Sequence, residues 1–127
     1  MKFLHSMIRV KNKDESIKFY SELFGLELTE EHRLDDCTLY FLTDKETNTQ
    51  IELTYNDETP KDGYTNGNAF GHFAFYCEDL NKFTEKLNAL GYKYLYEPFD
   101  LTGNGSKIAF LNDPDGNEIE LIEKVVW

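Results

Sequence analysis

Apolar positions along the chain fall into two runs of helical spacing, each preceded by one short β-rich segment and followed by three more. Ile17, Tyr20, Leu23 and Phe24 recur every three to four residues, which predicts a helix with one buried face. Asp14 has the residue type of its N-cap, and Gly25 that of a left-handed C-terminal stop. Leu80, Phe83, Leu87 and Leu90 repeat the pattern between Asp79 and Gly91. The β-rich stretches FLHSMIRV, from Phe3, and FGHFAFYC, from Phe70, lead into the two helices. Strands are expected at 26–29, 38–43 and 50–55 after the first helix, and at 92–96, 107–111 and 117–123 after the second.

The two halves also match in spacing. His5 lies 20 residues before Gly25, and His72 lies 19 before Gly91. LYFLTD is followed by QIELT, and IAFLND by EIELI. A repeat of this kind decides the fold ahead of any single motif. The reading is one α+β domain over 1–127, made of two tandem βαβββ modules. Module one spans 1–55, a polar linker with Pro60, Gly63 and Gly67 spans 56–69, and module two spans 70–127. The Gly-rich stretch 99–106, FDLTGNGS, reads as a mobile loop.

Composition narrows the partners. Against 13 Lys and Arg stand 24 Asp and Glu, a net charge of −11, which argues against nucleic acid and anionic membranes. The opening MKFLHSMIRV is broken by His5, Ser6 and Arg9 and is not read as a secretion signal. No apolar run approaches the roughly 20 residues of a membrane span. Cys37 and Cys77 are too few for a disulfide scaffold, so a cytoplasmic domain with reduced thiols is expected.

The tripeptide Ile-Glu-Leu occurs twice, placing Glu52 and Glu120 inside segments built for burial. Alternate side chains of a strand face opposite ways. With Ile51 and Leu53 packed under the helix, Glu52 and Thr54 project from the other face; Ile119 and Leu121 do the same for Glu120. In the first segment Leu4, Ile8 and Val10 oppose His5, Met7 and Arg9. In its counterpart Phe73, Phe75 and Cys77 oppose His72, Ala74 and Tyr76. Each module thus offers one His and one Glu away from its helix, and two such sheets side by side would curl into a cup lined by all four.

Taken singly, a His or a Glu in a strand is more often structural or solvent-facing. The pairing raises both, because two of only three His fall at equivalent positions of the repeat. His5 precedes Glu52 by 47 residues, and His72 precedes Glu120 by 48. Two imidazoles and two carboxylates suit a six-coordinate divalent ion of the first transition row. His32, in TEEHRLDD, has no repeat partner and reads as a surface residue; the unmatched cysteines speak against a Cys-ligated zinc.

These residues carry a resemblance. LHSMIRV (4–10), SIKFYSELFGLEL (16–28), IELTYN (51–56), FGHFAF (70–75) and IAFLNDPDGNEIELIE (108–123) resemble the vicinal oxygen chelate superfamily, and within it bacterial glyoxalase I, or lactoylglutathione lyase. The resemblance implies metal ligands at His5, Glu52, His72 and Glu120. It implies thiol-conjugate contacts at Arg9 and Asn56, although Arg9 on an acidic protein also has the simpler role of pairing with a nearby carboxylate. The implied reaction turns the methylglyoxal–thiol hemithioacetal into an S-lactoyl thioester through an enediolate. Glu120 is the first candidate for the proton carrier and Glu52 the second. Nickel or cobalt is the expected metal, with zinc as second choice, and a homodimer is expected, with sites shared between subunits ahead of the alternative of sites within one chain.

Two departures leave the thiol open between glutathione and another low-molecular-weight thiol. Asn68 stands where such enzymes usually place a basic residue, and Lys107 is the one positive charge near the loop before IAFLND. A methylmalonyl-CoA epimerase-like enzyme shares the fold but characteristically carries an amide where this chain has Glu52. A non-catalytic binding module of the same fold typically lacks the four ligands, all of which are present here.

Overall fold

The computed structural model describes residues 1–103 and 105–124. The chain divides into two compact units, one ending at Thr65 and the other beginning at Asn66. The first runs β1 (His5–Arg9), α1 (Lys13–Phe24), β2 (Glu27–Arg33), β3 (Cys37–Thr43) and β4 (Gln50–Asn56). The second repeats that order as β5 (His72–Tyr76), α2 (Leu80–Ala89), β6 (Tyr96–Asp100), β7 (Lys107–Asn112) and β8 (Glu118–Ile122). Each forms a four-stranded mixed sheet, ordered β1-β4-β3-β2 and β5-β8-β7-β6. The outer pairs β1–β4 and β5–β8 are parallel, as a strand–helix–strand crossover requires, and the remaining pairs are antiparallel. This is the expected α+β architecture of two βαβββ modules.

The buried face of α1 is Ser16, Phe19, Tyr20 and Leu23; Ile17 and Phe24 lie at its margins. The cap is Asn12 rather than Asp14, its side chain accepting from the Glu15 amide at 3.1 Å. Asp14 sits instead in the first turn, where a carboxylate faces the positive end of the helix dipole. Gly25, at φ +69°, ends the helix: its amide donates to Ser21 O and the next amide, Leu26, to Tyr20 O. Asp79 caps α2 as expected, accepting from the Lys82 amide at 3.1 Å. Leu80 and Leu87 are its buried residues, while Leu90 lies past the last turn and is exposed.

The edge strands differ most from expectation. β2 continues past residue 29 to Arg33 and takes in His32, and every residue of it is exposed. The second edge strand is Tyr96–Asp100 and not 92–96. Leu4 precedes β1 and is exposed, so it does not share the buried face of Ile8 and Val10. In the stretch 99–106, the Asp100 carboxylate accepts from the amides of Gly103 and Gly105 at 2.7 and 2.8 Å, and Asn104 lies outside the described residues. The final residues of module two, 125–127, lie outside them as well. Among the described residues no helix is long and apolar enough to cross a membrane.

Candidate metal centre

The central strands β4 and β8 are delivered by two related turns. In the second unit Asp113 of DPDGN is buried, and its Oδ1 accepts from the amides of Asp115 and Asn117 at 2.9 and 2.8 Å. Its Oδ2 accepts from the Asn117 side chain at 2.9 Å, and Gly116 takes φ +86° to close the turn. In the first unit Asp44 has the corresponding place, its carboxylate accepting from the Glu46 amide and its own amide donating to Thr49 O. Each turn locks the β3–β4 or β7–β8 register, and that register sets which way the following glutamate points.

On β4, Ile51 and Leu53 are buried on one face, and Glu52, between them, takes the other. It lies in register with Phe41 of β3 and Met7 of β1. Glu120 lies in register with Phe110 of β7 and Ala74 of β5. The Glu52 and Glu120 side chains keep only 11% and 13% of their exposure, yet neither is isolated. His5 Nε2 stands 3.7 Å from Glu52 Oε1, and His72 Nε2 stands 3.0 Å from Glu120 Oε2. Both imidazoles rest edge-on against a phenylalanine, His5 on Phe41 at 5.3 Å between centroids and His72 on Phe110 at 5.7 Å.

With ligand distances of roughly 2.0–2.2 Å, adjacent donors of one divalent ion sit roughly 3.0 to 3.5 Å apart. The His72–Glu120 spacing fits two donors of one ion, and the His5–Glu52 spacing is about 0.2 Å wider than the upper end of that range. One imidazole nitrogen and one carboxylate oxygen at such spacing form one edge of a coordination polyhedron, and the donor types suit nickel, cobalt or zinc alike. Among the described residues no three His, Cys, Asp or Glu side chains form such a group. What each unit offers by itself is a pair.

The chain matches the family model for the Glyoxalase/Bleomycin resistance protein/Dioxygenase superfamily over residues 2–121. A lactoylglutathione lyase of Haemophilus influenzae is 41% identical to it, the match covering 97% of this chain and 93% of that protein. The chain belongs to this superfamily, and within it to the lactoylglutathione lyases. A lactoylglutathione lyase of Arabidopsis thaliana is 38% identical over 97% of this chain, which spans only 44% of the plant protein. The crystal structure of glyoxalase I from Zea mays superposes with a TM-score of 0.85 at 38% identity, again over 97% of this chain and 44% of that one. A divalent metal is implied by glyoxalase I membership.

The remaining glyoxalase candidates lie in the first unit. Arg9 is exposed on β1, on the same strand face as His5 and in register with Thr54. Asn56 ends β4, and its amide donates to the Tyr64 hydroxyl at 2.9 Å. The next residue, Asp57, binds the Arg33 guanidinium through both oxygens at 2.6 and 2.5 Å, which holds its carboxyl below the usual range. The segment after Asn56 is thereby tied back to β2. His32 is exposed, as read from the sequence, with its ring 5.9 Å from Phe41 and its Nε2 3.8 Å from Glu30. Burial pushes the thiols of Cys37 and Cys77 upward, away from the thiolate form that ligates metals.

Sequence reasoning passed over two features of the site. Phe41 and Phe110 were visible as the matching aromatic of LYFLTD and IAFLND, and each carries a site imidazole. Thr54, beside Glu52, has no counterpart in the second unit, so the repeat gave no reason to single it out.

Proposed function

We propose that the chain isomerises the hemithioacetal of methylglyoxal and a low-molecular-weight thiol to the S-lactoyl thioester, and so detoxifies methylglyoxal. The observation that carries this reading is the doubled His–Glu pair, one at the same strand position in each sheet of a lactoylglutathione lyase relative. His5, Glu52, His72 and Glu120 together are the ligand set we assign to one divalent ion, nickel or cobalt ahead of zinc. When bound, that ion supplies Lewis-acid stabilisation of the negative charge that develops on the substrate's adjacent oxygens.

The proton work falls to the chain. Glu120 takes the proton from the carbon that bears sulfur and hydroxyl, and the electron pair of that C–H bond becomes the carbon–carbon double bond of the enediolate. The same carboxyl returns the proton to the neighbouring carbon, and the hydroxyl proton passes to the second oxygen. The thioester is an isomer of the hemithioacetal, so no oxidant or reductant is consumed. Glu52 is the second candidate for this shuttle. Arg9 would meet a carboxylate of the thiol conjugate, and Asn56, steadied by Tyr64, would hydrogen-bond the same arm.

We also infer a homodimer working in the cytoplasm, in keeping with two unpaired cysteines. The net charge of −11 gives no long-range attraction for an anionic thiol. The test is to incubate the protein with methylglyoxal and, one at a time, glutathione, cysteine and coenzyme A, following thioester absorbance. Catalysed thioester formation with at least one thiol is expected. Its absence with every thiol, in protein carrying a divalent ion, would overturn the reading.

A further inference from the structure

The two His–Glu pairs repeat one another except at the residue two positions after each glutamate. On β4 that residue is Thr54, whose hydroxyl donates to Glu52 Oε2 at 3.0 Å. On β8 it is Ile122, whose side chain has no proton to give. Positions two apart on a strand share a face, so both residues flank their carboxylates, and only one can bind.

Thr54 is itself firmly placed. It is 6% exposed, lies opposite Leu39 of β3 and Arg9 of β1, and its carbonyl accepts from the Val10 amide at 3.0 Å. Its hydroxyl is therefore withheld from water and aimed along the strand at Glu52. The terminal torsion of a glutamate is broad and roughly two-fold, so a free carboxylate samples many orientations. With Oε2 committed to Thr54, Oε1 is the oxygen left beside His5 Nε2.

We infer that Thr54 is a positioning residue: it fixes the Glu52 carboxylate so that Oε1 is presented with His5 to a divalent cation. Glu52 then acts as the fixed carboxylate of the doubled site. Glu120 has no hydroxyl two positions on along its strand, and its Oε2 meets His72 Nε2 at 3.0 Å instead. The inference rests on the reading of Glu52 as a metal ligand. Outer partners that orient a ligating group typically contribute 10- to 100-fold in metal affinity.

Thr54→Val keeps the side-chain shape and the strand preference but removes the hydroxyl; Thr54→Ser keeps the hydroxyl. Full-length wild type and variants are stripped of metal and titrated with nickel in competition with a chromophoric chelator. Thermal unfolding of the stripped proteins runs alongside. The expected result is a loss of about 10- to 100-fold in nickel affinity for Thr54→Val, with Thr54→Ser close to wild type and the metal-free midpoints alike. Thr54→Ala supplies a second hydroxyl-free variant should Thr54→Val fold poorly. Wild-type nickel affinity in either hydroxyl-free variant overturns the inference, whatever happens to the melting temperature. A wild-type protein that takes up no divalent ion fails differently: it removes Glu52 as a ligand, and this role for Thr54 with it.

Discussion

Glu120→Gln lowers turnover by about 10²- to 10⁴-fold while leaving the fold and the response to heat unchanged. The amide has the size of the carboxylate and still offers an oxygen beside His72 Nε2, so the second sheet keeps its packing. What it loses is the ability to accept a proton from carbon and return it. The effect belongs in kcat, measured by thioester formation at saturating hemithioacetal, with metal content assayed on the same sample. Glu52→Gln should act mainly on metal affinity, because the Thr54 hydroxyl holds that carboxylate in place. A Glu120→Gln enzyme with wild-type kcat would move the shuttle elsewhere, Glu52 being the next candidate.

His5→Ala and His72→Ala each weaken metal binding by more than about 100-fold, since even an outer partner of a ligand is worth 10- to 100-fold. Each variant alone is therefore inactive at low free metal, and mixing the two reads out the assembly. If a homodimer builds each centre from one pair of either subunit, a mixed dimer has one centre with both histidines and one with neither. Random re-association of equal amounts then returns about a quarter of wild-type activity, as expected for two-fold exchange of equivalent surfaces. Activity that stays absent after mixing, with mixed dimers demonstrated, would assign both pairs of a centre to a single chain.

The repeat made the architecture legible. Because the halves match at His5 and His72, at Glu52 and Glu120, and at the turns after Thr43 and Asn112, element order and the pairing of each His with a Glu in its own sheet could be read without any contact information. Boundaries on the outer strands could not. β2 is an edge strand whose residues are all exposed, so it lacks the alternation that marks a half-buried strand, and its run of charges is what an unpaired edge tolerates. β6 takes in Pro98 and the start of the stretch read as a loop; a proline argues against a strand in general but costs little on an edge where no amide partner is needed. Both edges also carry a register irregularity, at Leu28/Glu30 and Tyr96/Phe99, which blurs period-two patterning further.

The helix cap shows a related limit. Asn12 and Asp14 are both good capping residues two positions apart, and composition alone does not choose between them. Within the site, spacing selected the two glutamates but treated them as equivalent. Their difference lies in the residue two positions on, Thr54 against Ile122, where the repeat breaks; that the Thr54 hydroxyl reaches Glu52 at 3.0 Å depends on side-chain torsions, which spacing does not give.

The measurement closest to the central claim uses metal-free protein. The chain is stripped with a chelator, reloaded with nickel, cobalt or zinc one at a time, and assayed with methylglyoxal and the best thiol for S-lactoyl thioester. The metal-free form should be inactive, nickel or cobalt should restore turnover, and zinc should bind with little activity. Full turnover in demonstrably metal-free protein would contradict the account, because His5, Glu52, His72 and Glu120 would then have no ion to hold.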